Sequence, residues 1–125
     1  MAAKSKKILI VDDEEGIREL LAESLRLRGY DVWTASDGQQ GLDVAAPYKP
    51  DLILLDVMMP VMDGWQMLNC LRRNENTKHI PVAMLTGRGE DYSMAIAKEN
   101  QASEYFVKPV NLDELISFIR RYLGG

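Results

Sequence analysis

Short apolar runs recur along the chain in the pattern expected of buried β-strands. Five runs are predicted to form strands: Ile8–Val11, Tyr30–Ala35, Leu52–Leu55, Val82–Leu85 and Tyr105–Val107. Three of them are continuously apolar, which indicates strands buried on both faces of a sheet, because a half-exposed strand alternates. The chain between successive runs is long enough for a crossover helix, so the sheet is predicted to be mostly parallel.

The segments between these runs carry apolar residues three or four positions apart, which is typical of amphipathic helices. The stripe is clearest in the last segment, at Leu112, Leu115, Ile116, Ile119 and Leu123. Asn111 and Ser36, each followed three residues later by Glu or Gln, resemble the capping boxes that begin helices, and Gly29 predicts the end of the first helix. The fourth helix, expected over about Tyr92–Asn100, has only a thin apolar stripe.

The alternation of strand and helix predicts one doubly wound (βα)5 domain over residues 1–125, with its core at about residues 6–123. A chain of 125 residues with 46% hydrophobic and 27% charged residues fits a single globular domain. Such a domain folds without a metal or disulfide, so any metal site is expected to serve function.

Charge and cysteine content narrow the function further. The net charge of −4 is the wrong sign for binding nucleic-acid phosphates directly. A single cysteine, Cys70, cannot form an internal disulfide, and no apolar run reaches the length of a signal peptide or membrane span. We therefore expect a cytoplasmic protein with no membrane contact.

Polar side chains follow four of the five predicted strands at the point where each strand ends. Asp12 and Asp13 follow the first strand and Asp56 closes the third. Thr86 closes the fourth strand, and Lys108 lies one residue past the fifth. Because ligands of open α/β sheets bind outside the carboxyl ends of the strands, these five residues are predicted to converge on one site.

The composition of this group points to metal-assisted phosphoryl chemistry. Three neighbouring aspartates repel one another unless a cation lies between them, and all-oxygen ligands without His or Cys favour Mg²⁺ over zinc. Lys108 would supply positive charge to a phosphoryl oxygen and Thr86 a hydroxyl donor. Asp56, at the end of the central strand, is then the candidate nucleophile that forms an acyl phosphate.

The same residues resemble the receiver domains of two-component response regulators, over essentially the whole chain. Four blocks carry the resemblance: Ile8-Leu9-Ile10-Val11-Asp12-Asp13, Leu54 to Pro60 with Met62-Asp63-Gly64, Met84-Leu85-Thr86, and Tyr105-Phe106-Val107-Lys108-Pro109. Any one block is weak, but four in this order, each at the end of the right strand, are specific. The resemblance implies a flavodoxin-like parallel sheet with strand order 2-1-3-4-5.

The resemblance also implies roles for the acidic residues. Asp56 would be the phosphoacceptor, receiving its phosphoryl group from a sensor histidine kinase or a histidine phosphotransfer protein. Asp12 and Asp13 would hold Mg²⁺ together with Asp56 and the backbone carbonyl of Met58. The domain would catalyse only its own phosphorylation and dephosphorylation, and would not be an enzyme acting on an external substrate.

Further implied roles concern the switch. Thr86 and Lys108 would hold the phosphoryl oxygens, with a cis peptide bond at Lys108-Pro109. Tyr105 would change rotamer as Thr86 moves, so that the change is read at the face of the fourth helix, fifth strand and fifth helix. The same face would serve a homodimer, and the sequence does not decide whether one forms. Met58 and Arg88, two residues past Asp56 and Thr86, are predicted to alter the lifetime of the phosphorylated form.

Several other polar residues are expected to have structural or solvent-exposed roles and no part in the chemistry. Glu14 and Glu15 are predicted to be solvated charges in the loop and at the start of the first helix, favoured there by its dipole, with contact to a metal-bound water as the alternative. Asp63 and Gly64 are read as a turn that begins the third helix and shapes the loop beside Asp56. His79, with no partner at metal-ligand spacing, is expected to be exposed.

Three other functions fit the sequence less well than the switch. A phosphatase of the haloacid dehalogenase type would carry Asp-x-Asp after the first strand, whereas Asp56 follows the third and Met58 stands two residues on. A flavodoxin-like cofactor binder would need a Gly-rich phosphate loop where residues 12–15 are all acidic. A degenerate receiver that only docks proteins would lack a site residue, and none of the five is missing.

The chain is either a stand-alone regulator with a downstream protein target or a receiver cut from its output domain at Gly124-Gly125, and the sequence leaves both open.

Overall fold

The computed structural model describes residues 5–87, 94–99 and 101–124, which form five strands and five helices in strict alternation. In chain order the elements are β1 (Lys7–Val11), α1 (Glu15–Arg26), β2 (Asp31–Ala35), α2 (Gly38–Tyr48), β3 (Leu52–Asp56), α3 (Gly64–Arg73), β4 (Val82–Thr86), α4 (Met94–Glu99), β5 (Glu104–Val107) and α5 (Leu112–Leu123). No helix within the described ranges is both long and apolar enough to span a membrane.

All neighbouring strands pair in parallel in the order β2-β1-β3-β4-β5, which confirms the predicted fold class. The register brings the carboxyl ends of the inner strands level with one another. Val11, the last residue of β1, pairs with Leu55, so the residues that follow them, Asp12 and Asp56, lie side by side. Thr86 at the end of β4 pairs with Val107 at the end of β5.

Each face of the sheet is covered by helices, and successive strand residues alternate between two buried layers. One layer packs against α2, α3 and α4 and includes Leu9, Val11, Ile53, Leu55, Val82 and Met84. The other packs against α1 and α5 and includes Ile8, Ile10, Leu52, Leu54, Ala83 and Leu85. Both layers are apolar, which explains why β1, β3 and β4 read as continuous hydrophobic runs.

The start of α2 corrects the sequence prediction by one residue. The N-cap is Asp37, whose side chain accepts a hydrogen bond at 2.8 Å from the backbone N–H of Gln40. Ser36 was predicted to cap this helix, but its hydroxyl and its backbone N–H both donate to the side-chain oxygen of Gln40 instead. Ser36 therefore stabilises the chain just before the helix, and Asp37 satisfies one of the free N–H groups of the first turn.

The other predicted helix ends agree with the structure where it describes them. The Asn111 side chain accepts a hydrogen bond at 3.1 Å from the backbone N–H of Glu114 and so caps α5. Gly29, with φ of +92°, follows α1 in the left-handed conformation that glycine adopts without steric cost. The fourth helix is described only as α4, so the remainder of the predicted Tyr92–Asn100 range lies outside the described residues, as does Arg88.

Candidate functional site

The site forms where β1 and β3 end beside each other. Asp12 immediately follows β1 and Asp56 is the last residue of β3, and both are buried, with 0% and 3% of their surface exposed. The strand register places these two carboxylates side by side. Because burial of an ionised carboxylate is costly without a charged partner, this pair requires a nearby cation.

Lys108 supplies positive charge to this pair. Its Nζ lies 2.9 Å from Asp12 Oδ2 and 3.2 Å from Asp56 Oδ1. A third carboxylate, that of Glu14, contributes Oε1 at 3.3 Å. The backbone N–H of Lys108 donates to the carbonyl of Thr86 at 2.7 Å, which fixes the chain as it leaves β5.

The charges of the site shift the ionisation of its members. Burial raises the pKa of Asp56 to about 7, and the neighbouring Asp12 charge acts in the same direction, while Lys108 offsets only part of the effect. Burial alone would lower the pKa of Lys108, but its contacts with Asp12 and Asp56 outweigh burial and raise it. Lys108 is therefore a permanent cation, and the site is short of positive charge.

Asp12 is held rigidly through its own backbone and one oxygen. Oδ1 accepts a hydrogen bond at 2.9 Å from the backbone N–H of Glu14, and the carbonyl of Asp12 accepts one at 2.9 Å from the Arg18 guanidinium. The other oxygen, Oδ2, is buried and accepts no hydrogen bond from the described residues, although the Lys108 ammonium lies beside it. A buried carboxylate oxygen with spare acceptor capacity is available to ligate a cation.

Three of the four predicted metal ligands come together. Asp12, Asp13 and Asp56 each offer a carboxylate oxygen, and these oxygens all lie within 4.8 Å of one another. Asp13 is exposed and the other two are buried, so the cluster extends from the interior to solvent. Three hard oxygen donors suit Mg²⁺, which takes one or two carboxylates and completes its shell with water and phosphate oxygens. The donor set therefore fits a divalent cation of this kind.

The loop after β3 shapes the backbone around Asp56. Asp63 and Gln66 form a reciprocal capping box at the start of α3, and the backbone N–H of Gly64 donates to the carbonyl of Val57 at 2.8 Å. A Cβ atom at Gly64 would overlap the carbonyl oxygen of Asp56, so this close approach requires glycine. The turn predicted at Asp63 and Gly64 is confirmed, and it contacts the backbone at the end of β3.

The two predicted switch residues, Thr86 at the end of β4 and Tyr105 within β5, make other contacts. Within the described part of the chain, the Thr86 hydroxyl donates to the carbonyl of Phe106 at 3.4 Å and makes no hydrogen bond with the charged side chains above. Tyr105 is half-buried and packs against the core layer of α2, α3 and α4. The Lys108-Pro109 peptide bond is cis, as the resemblance implied. Met58, whose carbonyl was predicted as a metal ligand, has a side chain that is 61% exposed.

Sequence reasoning missed two contributors to the site. Glu14 is exposed, as predicted, but its carboxylate also contacts Lys108, which was not predicted. No role was predicted for Arg18, yet its guanidinium, near the start of α1, donates a hydrogen bond to the carbonyl of Asp12. Nothing in the acidic run of residues 12–15 distinguishes Glu14 from Glu15, so the sequence held no signal for the contact. His79 is exposed, as expected.

Comparisons with known proteins agree with this geometry. The chain is 40% identical over 119 residues to sporulation initiation phosphotransferase F of Bacillus subtilis, covering 95% of this chain and 94% of that protein. It superposes on the chemotaxis protein CheY4 of Vibrio cholerae with a TM-score of 0.88 and 34% identity, covering 96% and 100% of the two chains. It also superposes on the receiver domain of a sensor histidine kinase from Pseudomonas aeruginosa PAO1, with a TM-score of 0.87 and 28% identity, covering 98% and 100% of the two chains. That structure has a magnesium ion coordinated in its active-site cleft.

Other relatives are longer proteins. The chain is 39% identical to the transcriptional regulator RpaA of Synechocystis and spans about half the length of that protein. Residues 8–120 match the family described as the response regulator receiver domain, from the first core residue of β1 into α5. With the strand order, the acidic cluster and the lysine beside it already in place, this match shows that the chain belongs to the receiver domain family of response regulators.

Proposed function

We propose that this chain is a phosphorylation-activated signalling switch that accepts a phosphoryl group on Asp56. One observation carries the proposal: Asp56 is a buried carboxylate within 3.2 Å of the Lys108 ammonium and in ligand range of two further aspartates. A structural ion pair alone has no need of the exposed Asp13 beside the buried pair. The phosphoryl donor would be a sensor histidine kinase or a histidine phosphotransfer protein, and the domain would act as a regulator rather than on an external substrate.

The transfer step follows from the positions of the side chains. An Asp56 carboxylate oxygen attacks phosphorus, a new O–P bond forms, and the bond from phosphorus to the donor nitrogen breaks with its electron pair leaving on the donor imidazole. Lys108 neutralises the transferred phosphoryl oxygens because its ammonium already lies beside the attacking carboxylate. Hydrolysis reverses the modification: water attacks phosphorus, and Asp56 leaves as a carboxylate.

Magnesium is the cofactor that this donor set suits. Asp12, Asp13, Asp56 and the backbone carbonyl of Met58 would hold it, and it would supply charge neutralisation for the phosphoryl oxygens. The magnesium reported in the similar kinase receiver domain supports this assignment. The buried Oδ2 of Asp12, whose one ion pair among the described residues is with Lys108, is the feature of this chain that fits the role best.

The readout would begin at Thr86. Its hydroxyl donates to the Phe106 carbonyl over a long 3.4 Å contact, and a phosphoryl oxygen on Asp56 would be a stronger, charged acceptor for the same proton. Movement of Thr86 toward Asp56 changes the packing at β5, where Tyr105 lies half-buried. The change would be read by a downstream protein or an output domain at the face of α4, β5 and α5, which would also serve a homodimer.

The test is intact-protein mass spectrometry after incubation with acetyl phosphate and Mg²⁺. Wild type should gain one phosphoryl mass, while Asp56→Asn and an EDTA-treated sample should gain none. Asp113→Asn is the matched control, because Asp113 is an exposed aspartate in the first turn of α5 and its replacement makes the same chemical change.

A cytoplasmic location, which the single cysteine favours, is part of the proposal.

Two outcomes would contradict the proposal in different ways. An adduct that persists in Asp56→Asn would mean that another residue is the nucleophile. If folded wild type takes no phosphoryl group from acetyl phosphate, phosphoramidate or a histidine kinase, the chain is a docking module and not a switch.

A further inference from the structure

Glu14 makes a contact that its position at a helix start does not require. It is the N-cap residue of α1, yet its side chain makes no capping hydrogen bond. Its Oε1 instead lies 3.3 Å from Lys108 Nζ, 94 residues away in sequence. The side chain of Glu14 is 59% exposed, whereas those of Asp12 and Asp56 are 0% and 4% exposed, so Glu14 is the outermost of the three carboxylates around the ammonium.

We propose that Glu14 is a positioning residue that holds Lys108 across the mouth of the site and slows the entry of anionic phosphoryl donors. The inference rests on the proposed function, since it assigns a role in the reaction at Asp56. A donor whose phosphoryl oxygens approach Lys108 must either share the ammonium with the Glu14 carboxylate or displace that carboxylate. It must also approach a carboxylate of the same sign.

The size of the effect follows from the charge of the donor. In water, one unit of donor charge about 6 Å from the Glu14 carboxylate costs about threefold in encounter with the site, and two units cost about tenfold. Exposed charges are screened by salt, so the effect should be largest at low ionic strength. A purely structural role for Glu14 would not depend on donor charge or on salt.

Two small phosphoryl donors of different charge distinguish an electrostatic role of Glu14 from a purely structural one. With acetyl phosphate, a dianion near neutral pH, the Asp56 oxygen forms the new O–P bond, the bond from phosphorus to the acetyl oxygen breaks, and acetate leaves with the electron pair. With phosphoramidate, whose net charge is one unit smaller because its nitrogen carries an extra proton, the P–N bond breaks and ammonia leaves. Both reactions deliver the same phosphoryl group to the same carboxylate.

The experiment compares Glu14→Gln with Glu15→Gln. Glu15 is exposed, adjacent and of the same charge, and it has no described contact with Lys108. At low salt, Glu14→Gln should raise the second-order rate constant about tenfold with acetyl phosphate and about threefold with phosphoramidate, and both gains should shrink in about 1 M KCl. Glu15→Gln should leave both rate constants close to wild type. Equal effects of the two variants, or a slower reaction in Glu14→Gln, would overturn the proposal.

A second measurement reads the contact without any phosphorylation. In metal-free protein, the NMR signal of the Lys108 ε-methylene, assigned by its loss in Lys108→Arg, should shift in Glu14→Gln and stay unchanged in Glu15→Gln. If the signal does not shift in Glu14→Gln, the positioning role is wrong, whatever the rates. If wild type accepts no phosphoryl group but the shift is present, the proposed function fails while Lys108 is still held by Glu14. The two failures are therefore distinguishable.

Discussion

The raised pKa of Asp56 predicts that metal-free protein loses stability as pH rises through the acidic and neutral range. Burial, reinforced by the charge of Asp12, moves this pKa from its ordinary value of 3.8 to about 7. Lys108 is already charged at every pH in this range and offsets only part of the cost. A shift of this size corresponds to about 4 kcal/mol of destabilisation when Asp56 is fully ionised in the folded state.

The direction follows from proton binding. Between pH 3.8 and about pH 7, folded Asp56 retains a proton that unfolded Asp56 has released. Because the folded state binds more protons there, the free energy of unfolding falls as pH rises, and above about pH 7 the full penalty is present. Asp56→Asn removes the titrating group. Its free energy of unfolding, relative to wild type, should therefore increase by about 3 kcal/mol between about pH 4.5 and pH 8.

Urea unfolding in EDTA, followed by far-UV circular dichroism at intervals of pH, measures this difference directly. Asp113→Asn is the matched control, and its difference from wild type should not depend on pH in the same way. Saturating Mg²⁺ should close the gap, because a cation that binds only the folded carboxylates stabilises wild type by mass action. A difference between Asp56→Asn and wild type that varies by less than about 0.5 kcal/mol across the range would refute the reasoning.

Three further changes test the structure around Asp56. Gly64→Ala should lower the free energy of unfolding by about 2 kcal/mol, measured by urea midpoint, because its Cβ would overlap the backbone of Asp56. Val61→Asn should raise it by about 1 kcal/mol, since Val61 is 97% exposed and its φ of +69° suits Asn better than a β-branched residue, whereas Val61→Ala should gain less. Lys108→Met should cost about 3 kcal/mol in EDTA by leaving Asp12 and Asp56 uncompensated, and Mg²⁺ should recover much of that loss in thermal unfolding.

The sheet was predictable because its signal is carried by burial on both faces. Every residue of β3 and β4 is buried, and such strands cannot place a polar residue before their ends without cost. The polar residues Asp56 and Thr86 therefore come only at the last position of each strand. The convergence of the site follows from the same fact, since parallel strands end at one edge.

The details that sequence analysis missed depend on competition between equivalent groups. Ser36 and Asp37 are both competent N-caps, and only the backbone path decides that Asp37 reaches the N–H of Gln40. Glu14 and Glu15 are chemically identical. Only the position of Lys108, which follows β5 and lies beside Glu14, distinguishes them.

A further missed contact joins segments far apart in sequence. The half-buried guanidinium of Arg72 donates to the carbonyls of Ile80 at 2.7 Å and Gln101 at 3.0 Å, so it ties the end of α3 to the turn after α4. Burial lowers the pKa of this group. In the sequence, Arg72 and Arg73 look like one solvated charge pair, and no local pattern reveals that one of them points inward.

The features that oppose stability gather in the short segment that presents Asp56. Asp56 is buried beside a carboxylate of the same sign, Val61 holds a left-handed backbone conformation, and Gly64 must pass against the carbonyl of Asp56. The buried carboxylate and the left-handed backbone of Val61 are costly in isolation, and the packing of β3 before the segment and of α3 after it holds the segment in place. A modification that changes the charge on Asp56 therefore acts on a segment that already contains a buried carboxylate beside a like charge and a left-handed backbone at Val61.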